Sequence, residues 1–503
     1  MVAKVKTFSF VGIDVVEVDV QVKLSPGLPG VNIVGLADKA VGESRERVRL
    51  AITSLGLAWP QKRITVNLAP ADLQKEGSHF DLAIALGILI EMEVLSQSAV
   101  QNFFALGELS LDGALNAVSG IISAAIGANQ RKCGIICPAA NGREAAWAGD
   151  LPIISAPDLI SLINHCKSTQ FLSRPENNKK FAEVFYPDLS DIKGQESAKR
   201  ALEIAAAGGH NLLLIGPPGT GKSMLASRLN GILPQPSLEE ILEINMIHSI
   251  SGKIVDGNLI TSRPYRDPHH SCSMPAMIGG GTKAKPGEVS LACNGVLFLD
   301  EFAEFPRQVL DSLRQPLETN SVSVSRVNSH ITYPANFQLI AAMNPCRCGY
   351  LGDGKRECKK APTCGEDYKN KVSGPLLDRM DMVVEMPQID IFFTEQKPAE
   401  TSNAVKQRVA RARELQKIRY ENENTLQDNQ KTNAKVSGKT LEKFTELDGE
   451  CQKILKKSME KMSLSMRGIA RVLRVARTIA DLEQSEKINQ IHLLEAVNYR
   501  RKL

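Results

Sequence analysis

The chain has 503 residues, a net charge of +5, 43% hydrophobic and 23% charged residues. These are ordinary values for a globular protein with about three domains' worth of chain. They exclude a small disulfide scaffold and a bilayer-spanning protein, because the apolar runs, such as 82–90, are far shorter than the roughly 20 residues a span needs. The mild positive charge permits an anionic partner such as nucleic acid but does not argue for one.

From the N-terminus, "VVEVDVQVKL" (15–24) alternates apolar and polar residues and predicts a half-buried strand. "ADKAVGESRERVRLAITSLG" predicts a helix ending at Gly56. "RITVNLAP" predicts a strand and "FDLAIALGILIEM" a buried helix. "FFALGELSLDGAL" predicts two strands joined through Asp112-Gly113, and "GIICP" and "PIISAP" short buried strands. Residues 1–166 therefore read as an α/β domain. Residues 167–186 are polar and read as a linker. Residues 187–390 form a second α/β block, and 391–503 are helical and charged. "MVAKVKTFSF" has no apolar leader core, and six of the ten cysteines stand singly (133, 137, 166, 272, 293, 451). The expectation is a reduced, cytoplasmic protein without a membrane partner.

"NLLLIGPPGTGKS" carries the strongest chemical signal. An apolar strand (211–215) runs into Gly216, Pro217, Pro218, Gly219, Thr220, Gly221, Lys222 and Ser223. Glycines let backbone N–H groups approach phosphates, the lysine supplies charge at the β and γ groups, and the serine hydroxyl ligates Mg²⁺. "GVLFLDE" is a second apolar strand ending in Asp300-Glu301, a carboxylate for Mg²⁺ and one to orient the attacking water. "LIAAMNP" ends a third at Asn344, where strand ends converge on a ligand crevice. In "GPLLDRMDMVVEMP", Arg379 stands where a neighbouring subunit can offer charge to a phosphoryl group. In "SLSMRGIARVLRVARTIA", Ser465 is an N-cap. Arg467, Arg471 and Arg474 share one helical face, the last two reading as solvent or DNA-backbone contacts.

Taken in order, "GPPGTGKS", "GVLFLDE", "AAMNPCRCGY", "SGPLLDRMD" and "SMRG" resemble the AAA+ ATPases of the magnesium-chelatase clade. "RPYRDPHHSCSMPAMIGGGTKAKPGEVSLACNGVLFLDE" resembles its ComM/YifB group, bacterial competence-associated proteins. The resemblance covers essentially the whole chain. It implies a P-loop AAA+ domain with a C-terminal helical lid, ATP and Mg²⁺ as ligands, and a homo-hexameric ring. It also implies sensor-1, trans arginine-finger and sensor-2 roles for Asn344, Arg379 and Arg467. The function implied is a DNA motor promoting branch migration in recombination during natural transformation, with recombination proteins as partners.

"GELSLDGALNAVSG" and "KEGSHFDLAIALGIL" resemble the proteolytic domain of Lon-type proteases. The nucleophile's place is held by His79, with Ser78 one position off, and the partner lysine's place after Gly120 reads "IISAA". A Ser–Lys pair needs both groups, so the expectation is a Lon-like fold without protease chemistry and a packed or surface His79. The insertion 346–372 gathers Cys346, Cys348, Cys358 and Cys364, which suggests a structural Zn²⁺. The first gap is tight, and the last pair is wider than the family's. "RVNSHITYPANF" reads as a hairpin carrying Arg326 and His330, and "IGGGTKAKPGE" as a Gly-rich loop carrying Lys283 and Lys285; such cations suit sequence-independent phosphate contacts. Arg266, His269 and His270 read as a turn or subunit contact, since adjacent histidines diverge on regular elements. The alternatives to a DNA motor are a protein remodeller or nucleotide-switched scaffold and, further off, a metal-chelatase motor subunit. The chain has no Asp-x-Ser-x-Ser site of the chelatase partner.

Overall fold

A computed structural model of the chain describes residues 2–176, 184–254, 257–281, 284–325, 330–351, 360–388, 400–421 and 431–500. Two compact units emerge: Met1–Ala182 with Leu238–Thr261, and Glu183–Ser237 with Ser262–Leu503. The architecture is mixed α/β.

The first unit is built on a seven-stranded sheet. Its strands are β1 (Ala3–Val11), β2 (Asp14–Ser25), β3 (Gly30–Val34), β4 (Arg63–Ala69), β5 (Phe103–Ala105), β6 (Gly134–Pro138) and β7 (Ile153–Ala156), in the order β3-β4-β2-β1-β5-β6-β7. β1, β2 and β4 pair antiparallel; β3 runs parallel to β4, and β1, β5, β6 and β7 run parallel to one another. The period-two pattern of β2 turns Val18, Val20 and Val22 inward, all fully buried, as a one-sided antiparallel sheet requires. The helix Asp81–Glu91 buries every residue from Asp81 to Leu89. Its terminal Glu91 carboxylate accepts from Ala3 N at 3.1 Å and Leu24 N at 3.0 Å, tying it to β1 and β2. Glu108–Leu109 and Leu115–Asn116 form the small hairpin around Asp112-Gly113.

His79 is buried in this unit, with Nε2 2.9 Å from Phe8 O and its ring against Phe10 and Phe80. Burial lowers its imidazole to about 4, with the Phe8 carbonyl opposing. Ser78 donates instead to the Glu108 carboxylate. Past Gly120, Ile121 is fully buried. Beside it stands the helix Leu238–Ile250, which in sequence falls between the P-loop and the acidic strand, yet packs with this unit. Ser249 Oγ accepts from Gly120 N at 2.8 Å and donates to the buried Glu144 carboxylate.

The second unit holds a five-stranded parallel sheet: β8 (Leu212–Ile215), β9 (Tyr265–Arg266), β10 (Val296–Leu299), β11 (Gln338–Met343) and β12 (Met382–Glu385), in the order β9-β10-β11-β8-β12. β8, β10 and β11 are buried at every position, because helices cover both faces. One core joins Leu214, Phe298 and Ile340 of the sheet to Leu202 of the helix Glu196–Gly208, Val409 of Ser402–Glu421 and Val475 and Ile479 of Met466–Leu482.

A buried polar network crosses that core. Asp381 accepts from Asn211 N at 2.9 Å and from Arg471 Nη1 at 3.1 Å, with His210 Nδ1 at 3.8 Å. Burial opposes its charge, but His210, Arg471 and Arg474 outweigh it and hold the carboxyl well below the usual carboxylate range. Arg474 donates to Val436 O at 2.8 Å. The expectation that Arg471 and Arg474 face solvent or DNA is therefore corrected: a carboxylate from another element recruits them inward. Asp381→Ala strands Arg471 in the interior, and stability of the second unit is expected to fall by about 3–5 kcal/mol in chemical denaturation. A loss under ~1 kcal/mol, the scale of a surface pair, would contradict this.

Candidate nucleotide site

Because β8 is flanked by β11 and β12, and β11 by β10, all parallel, their C-terminal ends open along one edge. The loops leaving them enclose a cavity of about 750 Å³. It is lined by Pro218, Gly219, Gly221, Lys222, Ser223 and Met224 after β8, Asp267 to His270 after β9, Asp300 and Glu301 after β10, and Asn344 after β11. A Cβ on Gly216 would lie 2.4 Å from Met386 O, so only glycine lets β8 turn there. Gly219 and Gly221 have φ of 78° and 86°, the left-handed region where glycine is unhindered.

Lys222 Nζ donates to Gly216 O at 2.7 Å, Pro217 O at 2.9 Å and Asn344 Oδ1 at 3.1 Å. Burial lowers its ammonium, with Asp300 partly offsetting. Ser223 Oγ lies 2.5 Å from Asp300 Oδ2. A hydroxyl and a carboxylate side by side make a hard-oxygen pair of the kind Mg²⁺ prefers, and no atom comes within 4 Å of a Cβ position on Gly219, leaving room at the loop. The donor set therefore fits a Mg²⁺-nucleoside triphosphate. Burial, then the neighbouring Asp300, pushes the Asp267 carboxyl up.

Sequence reasoning missed Asp267, and it read His269 and His270 as a turn or subunit contact rather than as residues of this cavity. The adjacent imidazoles do not diverge: their centroids lie 4.0 Å apart. Pro268 to Ser271 forms no regular element, so the expectation of divergent side chains has no footing. The signal was present in "YRDPHH", directly after a short strand that neighbours the acidic one.

Arg379 and Arg467 do not line this cavity. Arg379 pairs with the Glu318 carboxylate and donates to Pro375 O at 2.5 Å. Arg467 is exposed in the first turn of Met466–Leu482, which Ser465 caps through Gly468 N at 3.1 Å. Arg266, read as a turn or subunit contact, instead grips Glu288 with two bonds of 2.5 and 2.8 Å.

The sulphurs of Cys346 and Cys348 lie 3.2 Å apart. Burial raises the Cys346 thiol, but hydrogen bonds from Cys348 and nearby backbone outweigh it and leave the thiol below its usual range. Cys358 lies outside the described residues. Among the described residues no three His, Cys, Asp or Glu side chains gather as a metal centre, so the zinc expectation finds no support there. Of the cations assigned to DNA, Lys283 and Arg326 also lie outside the described residues. Lys285 is exposed in a hairpin of Lys285–Pro286 with Gly279–Gly280. His330 opens the strand that pairs with Ser321–Ser325.

Comparison with known proteins agrees with this geometry. The family described as "Magnesium chelatase, subunit ChlI" matches residues 188–392, its C-terminal counterpart 399–500, and "Subunit ChlI of Mg-chelatase" 20–141. YifB of Escherichia coli (strain K12) is 44% identical over 498 residues, 99% of this chain and 96% of that protein. The chain belongs to the ComM/YifB group of magnesium-chelatase-like AAA+ ATPases. Competence protein ComM of Haemophilus influenzae is likewise 44% identical, over 97% of this chain and 95% of its own. DNA replication licensing factor mcm7 of Xenopus tropicalis is 25% identical over 195 residues, 35% of this chain and 24% of that protein. Membership implies an ATPase that uses ATP and Mg²⁺. No helix among the described residues is long and apolar enough to cross a membrane.

Lys222→Ala removes the ammonium that three acceptors hold at the phosphate loop. ATP affinity, measured by equilibrium binding, is expected to fall at least about tenfold, one charge-assisted bond's worth. Unchanged affinity would contradict the placement of the phosphates.

Proposed function

We propose that this ATPase is a DNA motor that works as a homo-hexameric ring and promotes branch migration during recombination in natural transformation. The observation that carries this reading is a pair of hairpins in the unit that holds the nucleotide cavity. Gly279–Gly280 pairs with Lys285–Pro286, and Ser321–Ser325 with His330–Pro334. They are pinned together where Tyr333 Oη donates to Ala284 O at 2.9 Å. In sequence, Lys283 falls between the strands of the first and Arg326 between those of the second. Cations of this kind suit phosphate contacts that ignore sequence. The competence name of a 44% identical relative supports the same direction.

In this reading Lys222 neutralises charge at the transferring phosphoryl group and Glu301 orients the attacking water. Ser223 and Asp300 would hold the Mg²⁺, which supplies further charge neutralisation. Asn344, fixed to Lys222, orients the γ-phosphate. Arg379, which lies off its own chain's cavity, serves the neighbouring subunit's nucleotide as the arginine finger, and Arg467 takes the sensor-2 role. The N-terminal unit is a Lon-like scaffold without the Ser–Lys pair, and the helices of 400–500 form the lid.

The test is ATP hydrolysis at fixed salt, since phosphate contacts depend steeply on it, with no DNA, single-stranded DNA, duplex or a four-way junction and Lys222→Ala as blank. Stimulation, greatest with the junction or single strand, is expected. A rate indifferent to every DNA would overturn the DNA motor in favour of a protein remodeller or nucleotide-switched scaffold.

A further inference from the structure

We propose that Lys435 is a positioning residue that ties the lid helices to the base of the hairpin formed by Ser321–Ser325 and His330–Pro334, so that a nucleotide's effect on the lid reaches the hairpin. This rests on the lid and DNA-contact readings above, and the test separates it from the DNA reading. Lys435 Nζ donates to Asn320 Oδ1 across 115 residues of sequence.

Asn320 is where the hairpin closes. It has φ 54°, in the left-handed region that asparagine enters more readily than most residues. It ends the helix Arg314–Thr319, with its N–H on Pro316 O at 2.9 Å. The first strand begins at the next residue, where Ser321 pairs with Pro334. Asn320 O accepts at 2.8 Å from the N–H of Ala335, the residue that follows the second strand. A displacement of the Asn320 side chain therefore acts on both strands at their common end.

Lys435 belongs to a strap, 433–436, that is bonded at every position. Buried Asn433 donates from its N–H to Gln416 Oε1 at 2.9 Å, and its Oδ1 accepts from Tyr420 Oη at 2.7 Å. Its Nδ2 donates to Thr478 Oγ1 at 2.9 Å and Asp481 Oδ2 at 2.8 Å. These partners lie on the helices Ser402–Glu421 and Met466–Leu482. Ala434 N donates to Gly208 O at 3.1 Å, at the end of the helix that leads into β8. Val436 O accepts from Arg474 Nε at 2.8 Å, and Arg474 shares the helix Met466–Leu482 with Arg467. Asn433 and Val436 thus fix the strap to the lid, and Lys435 between them reaches the hairpin. Coupling between separated sites needs a contiguous series of contacts, and helix, strap and hairpin base supply one. Burial pushes the Lys435 ammonium down to about 8; Asp381 and Cys293 oppose this, and Arg474 adds to it. A charge drawn out of water is costly unless it is bonded, and the bond to Asn320 offsets that cost.

The test is hydrogen exchange of the backbone amides of 321–325 and 330–333 in the full-length protein, with and without a non-hydrolysable ATP analogue. Wild type is compared with Lys435→Met, Lys435→Arg, Asn320→Gly and the double variant Lys435→Met/Asn320→Gly, with analogue affinity and thermal unfolding as checks. In the wild type the analogue is expected to change exchange of these strands at least about fivefold, the low end of ordinary coupling. Lys435→Met loses that change while affinity stays within about twofold. Lys435→Arg, which keeps a charged donor of similar reach, retains it. Asn320→Gly, which allows the same φ without the acceptor, behaves as Lys435→Met, and the double variant adds nothing. Strands that respond equally in wild type and Lys435→Met, or not at all in the wild type, overturn the inference. So does a Lys435→Arg variant as unresponsive as Lys435→Met. Should Lys435→Met not fold, Asn320→Gly decides, and an undiminished response in it overturns the inference. In ATP hydrolysis, Lys435→Met is expected to keep the DNA-free rate within about twofold and to lose at least about fivefold of the stimulation by DNA; undiminished stimulation overturns the inference. A wild type that no DNA stimulates, with hydrogen exchange as expected, instead overturns the DNA reading and leaves the tie standing.

Discussion

The hydrogen bond from Lys222 to Asn344 joins the phosphate loop to the end of β11 across 122 residues of sequence. It forms because β8 and β11 are adjacent and parallel, with Ile215 opposite Met343, so the loops that follow start level. The same sheet sets Asp300 beside Ser223 and His270 beside Glu301. A slip of one residue in any of these pairings would turn an apolar side chain toward the wrong layer and misplace the polar residue at its end. The continuous burial of the strands is therefore what aligns the chemistry, and the apolar residues of β8, β10 and β11 are as necessary to it as the charges.

The first unit follows a different logic. Its sheet is mixed, with two antiparallel pairings among four parallel ones, and the residues that could have carried chemistry are tied up structurally. His79 is neutral and buried against Phe8, and Ser78 is bonded to Glu108. The start of the helix Ile121–Gln130 is closed by Ser249 from a helix that follows the P-loop in sequence. A segment of the ATPase half is thus an integral part of this unit's packing, held through the buried Glu144 and its bonds to Ser249, Asn141 and Ile122 N.

Much of this was legible in the residues. An apolar run followed by glycines, lysine and serine can do little else than form a phosphate loop, and the alternation in β2 dictates which valines are buried. What escaped has a common cause: a partner distant in sequence and invisible to local pattern. The arginine face of Met466–Leu482 reads as solvent-facing until Asp381 claims Arg471. His269 and His270 were read as a turn, which the chain makes there, but nothing in "YRDPHH" names Glu301 as the neighbour. Cysteine spacing names thiols without fixing their distances: Cys346 and Cys348 lie together, and among the described residues no three ligating side chains gather as a metal centre. The helix Leu238–Ile250 shows no break in composition that would assign it to the first unit.

The central claim is that ATP turnover moves DNA strands. The direct measurement is the fate of a labelled four-way junction with homologous, mobile arms, incubated with the protein and ATP, with Lys222→Ala in parallel. The account predicts conversion of the junction to separated duplexes by the wild-type chain only, and only with hydrolysable ATP. A wild-type protein that hydrolyses ATP yet leaves the junction intact would contradict it.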